Sequence, residues 1–142
     1  MKRTLFLLAV WLLLLSFFVP GCRLTQKEFA FSYEIEKTEY SPGETVKIYV
    51  TVKNSGEKIE IKEPLNNYFG AAQLRDDTGA VLSCHTMAYL PAEHEDIFER
   101  GQSASYTYSF DIPENMSAGS LDLTISFMDE VHTFDNVFIV CE

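Results

Sequence analysis

Apolar and polar positions alternate along most of the chain beyond residue 28. In "FAFSYEI", Phe29, Phe31, Tyr33 and Ile35 share one parity, and Ala30, Ser32 and Glu34 share the other. "TVKIYVTVKN" repeats the pattern, with Val46, Ile48, Val50 and Val52 set against Lys47, Tyr49, Thr51 and Lys53. Successive side chains of a strand point to opposite faces, so a period of two predicts strands that bury one face. "SYTYSFDI" aligns Tyr106, Tyr108, Phe110 and Ile112, and "LDLTISF" aligns Leu121, Leu123, Ile125 and Phe127. "FDNVFIV" closes the chain with a denser apolar run, in which Val137 and Ile139 share a parity with Cys141. Past residue 22 there is no helical stripe of useful length.

Turn chemistry separates these runs. "SPGE" puts Pro42 and Gly43 where a type II turn needs a fixed φ and then a positive one. "NSGE" holds Gly56 after the second strand, and "DDTG" joins "AAQLR" to "AVLSC" with Gly79 suited to the left-handed closing position. "ERGQ" and "PENMSAG" supply two further breaks. Seven or eight short strands result, each able to bury one face, which predicts two packed antiparallel sheets. The expected fold class is all-β, a sandwich spanning residues 29–142.

The start of the chain has a different pattern. Lys2 and Arg3 precede an apolar run from Leu5 to Val19, broken only by Ser16. A basic start, an apolar middle and small residues at the end predict an export signal with an N-terminal signal helix. As a helix the run covers about 22 Å, short of a hydrocarbon core of roughly 30 Å. It ends in "VPGC", and "RLTQKE" follows as a short polar tether.

That tetrad resembles the lipobox of bacterial lipoproteins, in which a cysteine receives a diacylglyceryl group and the signal is then cut before it. Val19 matches the aliphatic position, Gly21 the small one and Cys22 the lipid acceptor, while Pro20 stands where Ala or Ser is usual. The resemblance implies a leader over residues 1–21, cleavage between Gly21 and Cys22, and a lipidated N-terminus with tether over 22–28. The physical reading agrees. Gly21 leaves the thiol unobstructed, Pro20 ends any helix before it, and two or more acyl chains make a stable anchor where one would not. Two other readings stay open: ordinary secretory cleavage at the same bond, since Val19 and Gly21 also suit a small-x-small site, and an uncleaved anchor.

Charge sharpens the expectation. The leader holds two of eleven basic residues and none of the 21 acidic ones, so the exported portion carries nine against 21, a formal charge of −12. Such a polyanion repels phosphate backbones, which excludes nucleic acid as an expected partner. It also repels anionic headgroups, so membrane attachment requires something covalent. The expected address is the extracytoplasmic face of a bacterial cell membrane, with a protein or glycan partner in the envelope.

"EYSPGETVKIYVTVKNSGEKIEI" and "ERGQSASYTYSFDIPENMSAGSLDLTISF" are similar to the opening and closing halves of bacterial immunoglobulin-like domains, nearest the BsuPI-type proteinase-inhibitor module. The resemblance implies an immunoglobulin-like sandwich. It carries over no inhibitory residue, and no Trp lies in the domain because Trp11 falls in the leader. The expected function is a non-catalytic binding or accessory module; the alternatives are a surface-presented proteinase inhibitor and an extracytoplasmic metal-binding protein.

Several residues are candidates for chemistry. Cys84 and Cys141 each follow the apolar parity of their strands, so they either meet as a disulfide, which export permits, or stay as separately buried thiols. "SCHTM" sets Cys84, His85 and Met87 close together as soft ligands for copper, but His94 and His132 lie elsewhere and no second cluster supports them. Asp76, Asp77, Asp129, Glu130 and Asp135 offer oxygen for calcium without an ordering spacing, so no metal or cofactor is expected. From His85 to Gln102 the alternation lapses. Met87, Tyr89, Leu90, Ile97 and Phe98 there form a recognition loop, or else part of "AEHEDIFE" makes a helical turn whose Ile97 and Phe98 plug one end of the core. Tyr68 and Phe69 are open between a sugar-stacking patch and core packing. Ser83, His85 and the acids form no ordered catalytic motif, so no enzyme is expected. Asn115 begins an "NMS" triplet read as accidental.

Overall fold

The computed structural model describes residues 27–84 and 97–141. Ten strands follow one another: β1 (Phe29–Ile35), β2 (Glu39–Tyr40), β3 (Thr45–Asn54), β4 (Ile59–Glu60), β5 (Phe69–Arg75), β6 (Val81–Cys84), β7 (Ile97–Phe98), β8 (Ser103–Asp111), β9 (Gly119–Phe127) and β10 (Glu130–Val140), with a 3-10 turn at Leu65–Tyr68 before β5. A three-stranded sheet in the order β1-β3-β8 faces a five-stranded sheet in the order β2-β10-β9-β5-β6, and β4 pairs with β7. Every pairing is antiparallel except that of β2 with β10. The chain is an all-β sandwich, as the alternation predicts. Seven of the strands have four residues or more, and the other three are two-residue pieces.

The core sits where the alternation places it. Val46, Ile48, Val50 and Val52 of β3 are wholly buried, as are Leu121, Leu123 and Phe127 of β9, with Ile125 almost so. Burying each such side chain contributes roughly 1.5–3 kcal/mol, so the two central strands supply a large share of the apolar drive. Both turns read from Gly residues are present. Gly43 has φ +86° with Glu44 N donating to Ser41 O at 3.2 Å, and Gly79 has φ +89° with its N donating to Asp76 O at 3.2 Å. A side chain at either position would be strained, whatever room surrounds it.

One end of the sandwich is tied by a single buried amide. Asn54 is wholly buried, and its Nδ2 donates to Glu57 O at 2.8 Å and Phe98 O at 2.9 Å. Its Oδ1 accepts from Gly56 N at 3.0 Å. Its main chain is engaged as well, with N donating to Gln102 O and O accepting from Gly101 N. The "N-x-G" after the second long strand is therefore a structural joint: one side chain fixes the turn after β3 and holds β7 against it. Around it Phe127 gathers Phe29, Tyr68, Phe69 and Phe98, at ring-centroid distances of 5.2, 6.4, 4.8 and 6.1 Å.

Two sequence expectations need correction. Phe134 opposes Leu123 and Phe138 opposes Leu121, so β10 carries two extra residues between them. Asn136 takes φ 52° there. Its N donates to Asp122 Oδ1 and its Oδ1 accepts from Ser120 Oγ. An even insertion preserves parity, so Phe138 and Val140 continue the inward face, Val137 is buried inside the bulge, and Ile139 turns outward at 46% exposure. Cys141 shares the outward parity of Ile139. Cys84 opposes Ala72, which opposes Ile125, whereas Cys141 follows Val140, which opposes Gly119. Three strand spacings, about 14 Å, and the run from Gly119 to Ile125, about 20 Å, separate the two cysteines. A disulfide needs Cα atoms within roughly 7 Å, and both thiols are free.

Replacing Asn54 with Ala should cost about 2–4 kcal/mol in urea unfolding, because it leaves the Gly56 N–H and two carbonyls without their partner. Asn54→Asp should be worse at neutral pH, where a carboxylate oxygen faces two carbonyls, and should recover as the pH falls. Peptide mass after alkylation in denaturant without reductant should show Cys84 and Cys141 both modified; resistance of the pair would contradict the separation above.

Candidate functional site

The residues singled out from sequence scatter. Gly21, Cys22, His85, Met87, Tyr89, Leu90 and His94 lie outside the described residues. Phe98 is wholly buried, stacked on Phe29 at 6.2 Å, and Ile97 is half-buried beside it in the pairing of β7 with β4. The recognition reading is thus corrected for Phe98, which belongs to the core because Asn54 draws its carbonyl inward. Phe69 is buried against Phe127 and Tyr106, and Tyr68 accepts from Lys62 N at its hydroxyl. This pair is core packing and not an exposed stacking platform.

The acidic candidates are occupied or dispersed. Asp76 Oδ1 accepts from Thr78 Oγ1 at 2.8 Å, Thr78 N at 3.0 Å and Ala80 N at 2.8 Å, closing the β5–β6 turn. The Thr78 hydroxyl, followed by these main-chain donors, holds its carboxyl below the usual range. Asp129 pairs with Lys27 at 2.8 Å, and that hydrogen bond lowers its carboxyl likewise. Among the described residues no group of three or more His, Cys, Asp or Glu comes together as metal ligands.

Other residues do come together along the open side of the sandwich, where β1 lies over β10. Phe31 stacks on His132 with ring centroids 4.6 Å apart and planes within 3°, and Tyr33 meets Phe134 at 4.8 Å. His132 also sits edge-on to Phe134 at 4.6 Å. All four side chains are only half-buried, as are Phe29 and Ile35 at either end of β1. They form an aromatic seam between the two sheets, accessible from one side.

Beside that seam β1 has a bare edge. Ser55 N donates to Glu28 O at 2.8 Å, which makes that opposed pair a hydrogen-bonded one. Alternate pairs of an antiparallel ladder share the bonds, so Ala30, Ser32 and Glu34 direct their main-chain groups to β3. Asn54 N turns instead to Gln102, as this phase requires. Phe29, Phe31, Tyr33 and Ile35 therefore aim their N–H and C=O groups away from the sheet, on the side where no described strand pairs. Opposite them, β2 covers β10 only at Ile139 and Val140. Alternation alone could not reveal this: it shows which face of a strand is inward and not whether a neighbour lies beside it. What the sequence does show is four large residues of one parity in the first strand and no Lys or Pro within it to guard an edge.

No family model matches the chain, and no curated protein matches it. Solved structures do resemble it at low identity. The sporulation control protein Spo0M from Bacillus subtilis is 16% identical with a TM-score of 0.47, over 80% of this chain and 49% of that one. The secreted protein MPT63 from Mycobacterium tuberculosis is 14% identical with a TM-score of 0.45, over 81% of this chain and 92% of that one. A β-glucosidase from Listeria innocua is 16% identical with a TM-score of 0.44, over 80% of this chain; this chain spans only 16% of that enzyme. At these values no activity passes from any of them to this chain.

Proposed function

We propose that this chain is a lipid-anchored extracytoplasmic protein whose sandwich is a non-catalytic binding or accessory module. The observation that carries the reading is Val19-Pro20-Gly21-Cys22, placed at the end of a basic-then-apolar leader and six residues before the first strand begins to form. With a formal charge of −12, the exported body has no electrostatic reason to rest on an anionic bilayer, so acyl chains at Cys22 are what holds it there. From Cys22 to Phe29 the chain reaches at most roughly 25 Å when extended. That keeps the body close to the surface. Lys27, joined to Asp129, marks the end of the sandwich nearest the tether. The open side between β1 and β10 starts at this end and rises away from it, within reach of partners in the envelope.

Intact mass of the chain from the membrane fraction should show a start at residue 22 carrying acyl groups. The Cys22→Ser chain should lose the acyl mass and keep its leader. A soluble wild-type product with a free Cys22 thiol would overturn the reading.

A further inference from the structure

We propose that the bare edge of β1 accepts a further strand from an extended partner segment, in which apolar residues alternate with Lys or Arg. The inference deepens the binding-module reading by giving the partner's chemistry, and it does not depend on the lipid.

An edge strand exposes a row of donors and acceptors, and folded proteins commonly blunt such edges with Pro, Lys, bulges or short length. β1 has none of these: seven residues run in unbroken register from Phe29–Asn54 to Ile35–Ile48. In the other sheet β6 has only four residues, and β10, which β2 covers only at Ile139 and Val140, is interrupted by the bulge between Phe134 and Phe138. The far edge of the three-stranded sheet, β8, is long, but its inward residues Ala104, Tyr108 and Phe110 are buried and only Tyr106 is half-buried, so little apolar surface remains there for a new strand to cover. Among the described residues, β1 combines an unpaired ladder in unbroken register with half-buried side chains at all four of its inward positions.

The register of the incoming strand follows from the geometry. Its residues opposite Phe29, Phe31, Tyr33 and Ile35 exchange main-chain bonds with them, and their side chains share the inward face. Those side chains lie against Phe31, Tyr33, His132 and Phe134 and are apolar. The alternate residues point outward beside Ser32 and Glu34. Glu34, Glu36 and Asp135 are exposed around this side and Glu130 is half-buried, and none of them is in an ion pair with another described residue. Of the nearby cations, Lys27 and Lys37 are engaged by Asp129 and Glu44, while Lys47 and Lys53 are exposed on β3, one strand further from the incoming segment than Glu34. The outward positions of the partner are therefore basic. A second copy of this chain is the disfavoured occupant, because each exported body carries −12.

The test uses the full chain in detergent and end-capped octapeptides of alternating Val and Lys, read by NMR shifts of β1 and by anisotropy. Val-Lys should bind, and Val-Glu should bind at least about tenfold more weakly. Methylating the main-chain nitrogens of the Val residues should abolish binding, since those N–H groups face β1; methylating those of the Lys residues should not. Glu34→Lys, an exposed change that leaves the fold intact, should weaken Val-Lys roughly three- to tenfold and strengthen Val-Glu. Equal effects of the two methylation patterns, equal binding of the two peptides, or a β1-mediated dimer in place of peptide binding would each overturn the proposal. None of these outcomes would alter the mass expected at Cys22.

Discussion

The structure depends on keeping two central strands dry. The inward faces of β3 and β9 are almost wholly inaccessible to water, and neither could be so without the other sheet above it. Everything else is hung from this pair: β1 and β8 flank β3, β10 and β5 flank β9, and the turns return the chain each time to one of them. At one end the constraint is met by packing and polarity together. Phe127 closes β9 among four aromatic neighbours, and Asn54 closes β3 with three side-chain hydrogen bonds. A buried amide with every bond made costs little, whereas the same amide with a partner missing would open that end.

Much of this was legible in the chain. The parities of β1, β3, β8 and β9 follow from side-chain alternation alone, and Gly43 and Gly79 mark turns whose backbone only a residue tolerant of positive φ accepts readily. What alternation could not carry was a change within a strand. "FDNVFIV" reads as one strand rich in apolar residues, with nothing in it to mark a break. The two-residue bulge there depends on Asp122 and Ser120, which sit on a different strand. The outward turn of Ile139 follows from the parity of Phe134, Phe138 and Val140, and the separation of Cys141 from Cys84 follows from the strand order, which alternation does not carry.

Phe98 shows the same limit from the other direction. Its local sequence, rich in Glu and lacking alternation, reads as a loop. Its burial is decided by Asn54, 44 residues earlier, whose amide binds its carbonyl, and by the ring of Phe29. A signal did exist: Asn before a Gly-containing turn is a residue whose side chain can satisfy main-chain groups locally. That signal named the donor and not the recipient.

Charge and edge chemistry then meet on one side of the molecule. An unguarded strand is ordinarily a route to self-association, and the usual remedy is to place a Lys or Pro on the edge itself. Here the remedy is spread over the whole body. A strongly acidic surface keeps copies apart over a screening distance of about 8 Å at physiological salt, while leaving the ladder of β1 chemically intact. Distributed repulsion discriminates by sign, which a proline cannot do: like charge repels and opposite charge attracts. In the pairing we propose, an edge protected in this way is closed to its own kind and open to a partner of opposite charge, so one property, the excess of carboxylates, both keeps copies apart and sets the sign of what can pair.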